Sequence, residues 1–340
     1  MSYHLWFTRG PATRCSSTIK NAFKLGATGT RLTFSYGTPA LQSKRARRMK
    51  KLAKEVHKPC MVVADLEGEK YRLGLSTGLD YKKLIAGQKL KLVYNEKPAD
   101  YRKDKLHVRS KDFFKMSNKG NIIVIGDGSA YIKLKTLDKR KLEATAIVAH
   151  GGTINPNRGL TIQSSSFQPR ALTEKDRSDL DHLLTEPAFD AVAVSFVSTA
   201  SDVKEVRKII KASGRKLKLI AKIESRPGIK NITAITREAD MVMAARGDLA
   251  LTYPWVDLPK AVQKIAAASQ KQKKQWIVAT QVAEGLERFG FPTRPEICDL
   301  AHWAKTGAGT LLSSETAFGP RPLRVIQCTK IILDKWYKKP

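Results

Sequence analysis

A lysine and a glutamate stand two residues apart at the end of an apolar run, in the segment KLIAKIES. In a β-strand, residues i and i+2 point to the same face, so Lys222 and Glu224 should project together from the end of a buried strand. Asp248 follows the next apolar run, MVMAA, and Glu224 and Asp248 could share a divalent metal ion beside the lysine. Together with Arg31, these charges predict a phosphoryl-transfer or enolate site, in which negative charge spreads over oxygen atoms.

The turn that carries Asp248 offers a further contact. The residues Arg246-Gly247-Asp248-Leu249 begin a turn or helix whose backbone N–H groups could hold a carboxylate. The alternative is a purely structural ion pair between Lys222 and Glu224, which would need no third charge. Asp248 supplies a third charge, so the pattern favours a site for a metal and an anionic substrate.

Eight short apolar runs recur along the chain with amphipathic stretches between most of them, as expected for βα units around a parallel sheet. The eight candidate strands are residues 4–8, 30–34, 61–65, 191–196, 218–224, 241–245, 276–280 and 310–313. This rhythm predicts an α/β fold, a (β/α)₈ TIM barrel, whose catalytic groups come from the C-terminal ends of the strands. The charged and hydroxyl residues at or just after those ends include Arg31, Ser35, Asp65, Lys222, Glu224, Asp248 and Thr280.

The rhythm breaks once, between Asp65 and about Arg158. That stretch is rich in β-formers and hairpin signals, such as KLKLVY, NIIVIGDG and EATAIVA, the last closed by two glycines. We therefore expect a small all-β domain inserted into one loop of the barrel. The predicted division is 1–68 and 159–340 for the barrel and 69–158 for the insertion.

The composition indicates a soluble, cytoplasmic protein. Of the 340 residues, 42% are hydrophobic, which is enough to bury one large core and a smaller one. The four cysteines lie far apart with no CxxC spacing, so we expect neither disulfides nor a structural zinc. The first residues lack the apolar core of a secretory signal, and no window resembles a membrane span.

The charge balance is unusual, because 62 Lys and Arg face 31 Asp and Glu, giving a formal net charge of +31. Such a surface attracts polyanions or small anions. The excess is spread over many segments, among them SKRARRMKK at 43–51. A solvated basic surface and a site for RNA, DNA or a ribonucleoprotein both fit this pattern.

Several ordered motifs resemble one known family. The segments TRLTFSYG, ADLEGEKYRLG, IAKIES, MAARGDLAL, ATQVAEGL, FPTRPEICDLA and LLSSETAFGP are each similar to a segment of the pyruvate kinases, in the order of that family. The resemblance runs from residue 8 to about 335 and includes the β insertion. It implies a barrel A domain, a small β-barrel B domain that acts as a lid, and the reaction of phosphoenolpyruvate with ADP to give pyruvate and ATP.

The resemblance also implies roles for the charged residues. Lys222 would steady the phosphoryl group during transfer, and Arg31 would contact the phosphate. Glu224 and Asp248 would hold Mg²⁺ or Mn²⁺.

Further roles concern the carboxylate, the enolate and the nucleotide. The N–H of Gly247 would help bind the substrate carboxylate, and Thr280 would lie by the enolate carbon and help its protonation. Arg72, Asp127 and Arg158 would contact the nucleotide when the lid closes.

Three departures from the family affect the nucleotide side. Tyr36 stands where the family has a histidine, and it keeps a ring and one hydrogen-bonding group without becoming cationic near neutral pH. Glu67 and Glu69 replace a lysine and a proline beside it. The identity of the phosphoryl acceptor therefore stays open at this point.

The family's potassium site is altered as well. Its positions correspond to Thr33, Ser35, Asp65 and Leu66, and a nearby family glutamate is replaced by Lys70. An ammonium group can supply the positive charge of a missing K⁺, so we expect an enzyme that does not require potassium. One more lysine in a lysine-rich chain is the alternative reading of Lys70.

Other functions and partners stay open. The chain could be a non-catalytic basic protein derived from the family and bound to RNA or a ribonucleoprotein, or an enolpyruvate enzyme with another acceptor. The sequence has no counterpart of the family's C-terminal domain, so we expect no regulation of that type. A homo-oligomer could form through the barrel face near the helix after Thr280, and no membrane contact is expected.

Overall fold

A computed structural model of the chain describes residues 3–78, 80–100, 104–163, 169–170 and 172–338. They fall into two units. The barrel unit lies within Met1–Glu69, Pro169–Leu249 and Val256–Pro340, and the second unit lies within Lys70–Gln168 and Ala250–Trp255. Residues 1–2, 164–168, 171 and 339–340 of the predicted barrel domain, and residues 79 and 101–103 of the predicted insertion, lie outside the described residues. None of the helices in the described ranges is both long enough and apolar enough to cross a membrane.

The strands of both units are numbered together in chain order. They are β1 (Leu5–Thr8), β2 (Gly29–Thr33), β3 (Met61–Asp65), β4 (Tyr71–Arg72), β5 (Lys82–Leu84), β6 (Lys89–Tyr94), β7 (Lys105–Val108), β8 (Ile122–Ile125), β9 (Ala130–Asp138), β10 (Glu143–His150), β11 (Gly152–Ile154), β12 (Gly159–Gln163), β13 (Ala191–Val194), β14 (Lys218–Ile223), β15 (Met241–Ala245), β16 (Gln275–Ala279) and β17 (Ala308–Leu312).

The helices are numbered in the same way. They are α1 (Ser16–Lys24), α2 (Pro39–Glu55), α3 (Lys111–Met116), α4 (Glu174–Thr185), α5 (Ala200–Ala212), α6 (Arg226–Lys230), α7 (Ile232–Glu238), α8 (Arg246–Thr252), α9 (Leu258–Lys271), α10 (Glu284–Phe289), α11 (Arg294–Lys305), α12 (Ser314–Ala317) and α13 (Pro322–Trp336). Two 3₁₀ turns occur at Pro11–Thr13 and Trp255–Asp257.

Eight parallel strands close into a barrel in the order β1-β17-β16-β15-β14-β13-β3-β2. The prediction of a (β/α)₈ barrel is therefore confirmed, and each of the eight predicted strands is present with its ends shifted by at most two residues. The strands are nearly continuous apolar runs because both faces of a parallel sheet are buried. Inside the barrel, side chains such as Trp6, Val63, Ile220, Met243 and Ile277 form a packed core.

The helices around the barrel start where the sequence provides caps. In α5, the Thr199 hydroxyl accepts from the N–H of Asp202, and the Asp202 carboxylate accepts in return from the N–H of Thr199 at 2.8 Å. This capping box satisfies backbone N–H groups that the first helical turn leaves unpaired. The apolar face of the same helix buries Val203, Val206 and Ile210 against the sheet.

The second unit is built on a seven-stranded sheet with the order β4-β12-β8-β9-β10-β6-β7, and on a small ladder of β11 and β5. Its own core includes Leu92, Phe113, Phe114, Ile123 and Ile132. The predicted β-rich insertion is present, with the short helix α3 as its one described helix of more than a turn between β4 and β12.

One strand lies on the other side of the predicted boundary. The sequence-based division assigned residues from 159 onward to the barrel, but β12 belongs to the sheet of the second unit. Its residues Leu160 and Ile162 pair with Ile125 and Ile123 of β8. The side chains of Leu160 and Ile162 are buried in the core of that unit, which explains why the strand belongs there.

Candidate active site

The C-terminal ends of neighbouring barrel strands carry the predicted charges. Asp65 is the last residue of β3, and Lys222 is the last residue but one of β14. The strand β13 lies between them, with Ala193 paired to both Asp65 and Ile220. Arg31 lies on β2, on the other side of β3. These side chains therefore meet at one end of the barrel, as the sequence predicted.

Lys222 forms the centre of this charge cluster. Its ammonium lies 3.0 Å from Asp65 Oδ1 and 3.1 Å from Glu224 Oε1, and it donates to Ser195 Oγ at 2.6 Å. Burial disfavours the charged form, but the negative charges of Asp65, Glu224 and Asp248 outweigh it and raise the pKa of Lys222. The site thus holds a permanent positive charge in a nearly dry environment.

Arg31 shares a carboxylate with that lysine. Its Nη1 lies 3.2 Å from Asp65 Oδ2, while its Nε donates to Thr8 Oγ1 at 3.0 Å. Asp65 therefore bridges two cations, with one oxygen directed to each. Because Asp65 is buried and fixed at the end of its strand, it orients both cations toward the same end of the barrel.

Glu224 is fixed by the backbone as well as by Lys222. Its Oε2 accepts from the N–H of Phe196 at 2.8 Å, and the carboxylate is almost wholly buried. Phe196 has a φ of 54°, a conformation uncommon for a residue with a side chain. The turn after β13 is thus held in a less favourable conformation that brings its N–H to the carboxylate of Glu224.

Glu224 and Asp248 together present a donor set of carboxylate oxygens. Within the described ranges, no three or more His, Cys, Asp or Glu side chains are grouped as ligands of a metal. Two carboxylates nevertheless suit Mg²⁺ or Mn²⁺, because such ions often take one or two protein carboxylates and fill their other positions with water and substrate oxygens. Asp248 lies in the first turn of α8, near enough for its charge to act on Lys222. The residues present therefore fit the implied metal.

Gly247 and Thr280 lie side by side. A Cβ added to Gly247 would be 3.1 Å from Thr280 Cγ2 and 3.3 Å from its Oγ1. Thr280 directly follows β16, and both it and Gln281 have positive φ values, 74° and 50°. The hydroxyl of Thr280 is thereby positioned beside the backbone of Gly247.

Arg246 stabilises this turn, a role that the sequence reasoning missed. Its guanidinium donates to the carbonyl oxygens of Thr280 at 2.9 Å and Gln281 at 3.3 Å, and forms an ion pair of 2.6 Å with Asp299. Two successive left-handed residues cost conformational free energy, so the turn depends on such contacts. The arginine of the MAARGDLAL segment was visible in the sequence, but its partners lie 33 or more residues away.

The residues predicted for the monovalent-cation site lie partly together. Thr33 is the last residue of β2 and pairs in register with Asp65, and the N–H of Ser35 approaches Thr33 Oγ1 at 3.4 Å. Gln42 donates from Nε2 to the carbonyl oxygens of Thr33 and Tyr36, at 2.7 and 2.6 Å. Tyr36, the predicted nucleotide contact, follows in the same turn with 59% of its surface exposed.

The remaining predicted residues belong to the second unit. Arg72 pairs with Gly159 and donates to the carbonyl oxygen of Asn157 at 3.4 Å. Arg158 lies by the turn that contains Asp127, since its Cδ is 3.7 Å from the position of a Cβ added to Gly126. Arg72, Asp127 and Arg158 therefore occupy one region of this unit.

Lys70, the predicted replacement for potassium, lies at the edge of the same region. It is the first residue of the second unit. Its Cε lies 4.0 Å from the position of a Cβ added to Gly159. Lys70 is thus a neighbour of the strand that pairs with Arg72.

The two glutamates that depart from the family pattern have cationic partners in the barrel unit. Glu67 lies 3.7 Å from the ammonium of Lys175. Glu69 is buried, accepts from the N–H of Arg170 at 2.6 Å and pairs with its guanidinium at 3.1 Å. Both carboxylates are thus compensated by barrel residues.

Glu315 is a further buried carboxylate near the site. Its Oε1 accepts from the N–H of Val282 at 3.0 Å and its Oε2 from the N–H of Ser313 at 2.6 Å. It thereby ties the end of β17 to the loop that follows Thr280. Its position at a strand end was a signal in the sequence, but the backbone groups that it binds could not be read from the chain.

Comparison with known proteins places this geometry in context. A sequence model described as pyruvate kinase, barrel domain, matches residues 4–326. The chain is 32% identical to a pyruvate kinase of Agrobacterium vitis over 334 residues, which cover 97% of this chain and 67% of that protein. It is 30% identical to a pyruvate kinase of Thermococcus litoralis over 321 residues, 94% of this chain and 66% of that protein. It is also 30% identical to pyruvate kinase 2 of Synechocystis over 330 residues, 96% of this chain and 55% of that protein. The chain thus spans between about half and two thirds of the length of these relatives.

Proposed function

Because the chain belongs to the pyruvate kinase family, we propose that it transfers the phosphoryl group of phosphoenolpyruvate to ADP. The bond between phosphorus and the enol oxygen breaks, a bond to the terminal phosphate oxygen of ADP forms, and protonation of the enolate at carbon gives pyruvate. The observation that carries this proposal is the buried Lys222 ammonium between Asp65 and Glu224, with Arg31 on the other oxygen of Asp65.

The two cations act on the charge of the phosphoryl group. The transition state spreads negative charge over the phosphoryl oxygens, and fixed positive groups in a dry site stabilise it without reorganisation. Lys222 is held by three groups and stays protonated, so it can act on the transferring group throughout the reaction. Arg31 would contact the substrate phosphate through the guanidinium edge that Asp65 and Thr8 leave available.

Glu224 and Asp248 would hold Mg²⁺ or Mn²⁺. When bound, such an ion supplies positive charge to the phosphate and enolate oxygens. The N–H of Gly247, in the first turn of α8, would donate to the substrate carboxylate. Thr280, beside Gly247, would deliver a proton toward the enolate carbon, directly or through water.

The nucleotide would bind through Tyr36 of the barrel unit and Arg72, Asp127 and Arg158 of the second unit. We propose that the second unit acts as a lid over the bound nucleotide. ADP is favoured as the acceptor because Glu67 and Glu69 are paired with Lys175 and Arg170. Their negative charges are therefore compensated and need not repel the nucleotide phosphates.

We propose in addition that catalysis does not require potassium. Lys70 would supply the positive charge that a bound K⁺ supplies elsewhere, near Thr33, Ser35 and Asp65. The variant Lys70→Glu should lose activity at low potassium and regain part of it as K⁺ is added. An unchanged response to K⁺ in this variant would contradict the role of Lys70.

The cytoplasm would be the site of action.

The protein would also self-associate through the barrel face near α10. Two large apolar side chains support this self-association, since Phe289 and Phe291 are 75% and 65% exposed. Sedimentation of the wild type and of Phe289→Ser/Phe291→Ser would test it. A monomer for both proteins would contradict it.

The test of the activity is pyruvate formation from phosphoenolpyruvate, ADP and Mg²⁺, with and without K⁺, for the wild type and Lys222→Ala. We expect turnover that K⁺ does not change and that the variant loses. Lys218 begins the same strand and is exposed, so Lys218→Ala is the matched control and should keep full activity.

The other outcomes distinguish the remaining functions. Turnover that depends on K⁺ would establish the activity and reject potassium independence. Binding of phosphoenolpyruvate without turnover of ADP would indicate a different acceptor. If the folded protein neither binds phosphoenolpyruvate nor forms pyruvate, a non-catalytic basic protein is favoured.

A further inference from the structure

Basic residues occur along the whole chain, but its first part has no acidic residues to offset them. Residues 1–54 contain no aspartate and no glutamate, and the first acidic residue is Glu55. The basic residues of this stretch are Arg9, Arg14, Lys20, Lys24, Arg31, Lys44, Arg45, Arg47, Arg48, Lys50, Lys51 and Lys54. In the structure this stretch forms β1, α1, β2 and most of α2, so the excess charge belongs to one side of the folded barrel.

Four of these arginines converge where β1 ends and where α1 and α2 pack together, and we call Arg9, Arg14, Arg45 and Arg48 the arginine cluster. Arg48 donates from Nη2 to Ser16 Oγ, in the first turn of α1, at 2.8 Å. Arg45 lies one turn earlier on α2 and donates to Gln42 Oε1 at 3.3 Å.

The four charges are close enough to affect one another. Burial lowers the pKa of Arg9, and the charges of Arg45, Arg48 and Arg14 lower it further. Repulsion of this kind destabilises the folded protein unless an anion compensates it.

No carboxylate within the described residues pairs with the arginine cluster. The ion pairs of this stretch use other residues, namely Lys20 with Glu55, Arg31 with Asp65, Arg47 with Glu186 and Lys50 with Asp190. Arginine guanidinium groups match phosphate oxygens in geometry and charge. The cluster therefore has the charge and the donor groups that a phosphate-bearing ligand requires.

Neighbouring side chains indicate which phosphate-bearing ligand fits. Tyr36 is 59% exposed and Leu41 is 39% exposed. A Cβ added to Gly37, between them in the chain, would lie 3.2 Å from Leu41 Cδ2 and 3.9 Å from Arg45 Nη1. Gln42 accepts from Arg45 and donates to the carbonyl oxygen of Tyr36, so an exposed tyrosine and an apolar side chain adjoin the cluster. This combination suits unpaired bases that stack while the backbone follows the positive charges.

Two other classes of ligand fit less well. A membrane surface requires exposed apolar residues along a helix, but the apolar residues Ala46, Met49, Leu52 and Ala53 of α2 are buried. A single small phosphate ester would occupy only part of the charge, because the exposed Lys44, Lys51 and Lys54 continue the positive surface along α2. We propose that the arginine cluster and α2 bind a single-stranded nucleic acid, with the arginines on its phosphates and Tyr36 and Leu41 against its bases.

The test is fluorescence anisotropy with a labelled single-stranded oligouridylate of about 12 nucleotides, titrated at 50 to 200 mM KCl. The variant is Arg14→Gln/Arg48→Gln, in which both residues are exposed and lie outside the proposed catalytic machinery. The matched control is Arg237→Gln/Arg324→Gln, which removes the same charge from exposed positions on α7 and α13.

We expect wild type and control to bind with the same steep salt dependence. Each phosphate contact contributes about 0.7 to the slope of log K against log salt for a single strand, so two lost contacts should reduce the slope by about 1.4. The affinity of the variant at 50 mM KCl should fall at least about tenfold. Pyruvate formation by the variant should equal that of the wild type, which also shows that it is folded. A second pair, Arg9→Gln/Arg45→Gln, should weaken RNA binding in the same way.

Four outcomes would overturn the proposal. Equal losses in variant and control would indicate non-specific attraction to net charge alone. Equal affinity for a duplex of the same length would remove the role of the exposed side chains. Competition by millimolar inorganic phosphate at constant ionic strength would indicate a small-anion site. Binding to vesicles of anionic lipid but not to the oligonucleotide would indicate a membrane surface.

Discussion

Lys222 and Asp65 lie on strands that are not neighbours, and yet their charged groups are 3.0 Å apart. The strand β13 lies between them in the barrel, and Ser195, just after it, accepts a hydrogen bond from the same ammonium. The contact therefore exists only when three consecutive strands are closed in their correct register. The proposed catalysis and the geometry of the barrel thus depend on the same pair of residues.

Asp65→Asn should reduce kcat by about 100-fold, because Arg31 and Lys222 both lose the carboxylate that orients them. The free energy of unfolding should fall by about 1–3 kcal/mol, since a charged hydrogen bond at a buried position is removed. Steady-state kinetics and urea unfolding measure the two effects. Glu205→Gln, which breaks an exposed ion pair with Arg177, is the control. It should leave kcat unchanged and alter the free energy of unfolding by no more than about 1 kcal/mol. Full activity of Asp65→Asn would reject the bridging role.

Gly247→Ala should impair catalysis without destabilising the protein. The new Cβ would approach Thr280 Cγ2 to 3.1 Å, so the threonine must shift by a few tenths of an ångström. Alanine is also the better helix former, and Gly247 lies in α8. We expect kcat/KM for phosphoenolpyruvate to fall about tenfold, while the melting temperature stays the same or rises. Gly78→Ala is the control, because an added Cβ there meets no atom within 4 Å. A loss of stability in Gly247→Ala would point to a structural role only.

Arg246→Lys should lower kcat about tenfold through the position of Thr280. A lysine cannot reach the carbonyl oxygens of Thr280 and Gln281 and the carboxylate of Asp299 at the same time. Since Arg246 and Asp299 act as one network, the double variant Arg246→Lys/Asp299→Asn should lose little more activity than either single variant.

A comparison within the chain separates this positioning effect from a loss of stability. Arg207 makes a similar fork, to Asp240 at 2.8 Å and to the carbonyl oxygen of Glu238 at 2.9 Å, away from the proposed site. Arg207→Lys should therefore lower the melting temperature and leave kcat unchanged. Fully additive losses in kcat for Arg246 and Asp299 would show that they do not share one function.

The stability of the protein should decrease below about pH 6.5 in part because of His4. Burial lowers the pKa of His4, the hydrogen bond that Gln275 Oε1 accepts from its ring raises this pKa in part, and the charge of Lys218 lowers it further. His4 thus binds a proton less readily in the folded state than in the unfolded state, in which the pKa of a histidine is about 6.5. Stability is therefore lost as the pH falls through 6.5 toward the folded value. Melting temperatures between pH 5 and 8 should show a weaker acid dependence for His4→Gln, and an identical dependence would contradict this assignment.

Much of the barrel was predictable because parallel strands are buried on both faces and appear in the sequence as apolar runs. The run at 61–65 matches β3 and that at 241–245 matches β15, with the same limits. The ends of other strands were predicted too far along the chain, since Phe196 and Thr280 have positive φ values and leave the sheet early. A propensity for strand structure does not reveal such a backbone turn.

The cluster of Arg31, Asp65, Lys222 and Glu224 was predictable because charged residues stand out where an apolar run stops. The backbone contacts of Arg246 and Glu315 were not. Arg246 donates to carbonyl oxygens of Thr280 and Gln281, and Glu315 accepts from the N–H of Val282, and any residue carries such groups. The assignment of β12 failed for a similar reason, since a short apolar strand is compatible with either sheet until its partner is known.

The second unit separates two neighbouring barrel strands in the chain, and this affects when the barrel can close. The strands β3 and β13 are hydrogen-bonded neighbours, but nearly the whole second unit lies between them in the chain. During synthesis, Asp65 and its first cationic partner, Arg31, leave the ribosome long before Lys222, and Asp65 must wait for β13 and β14 before it gains its second cation. The entropy lost in closing a long loop grows only slowly with its length, so the interruption costs little at equilibrium. It delays instead the moment at which the nascent chain can bury this carboxylate, and that delay makes the unfinished barrel a candidate client for chaperones.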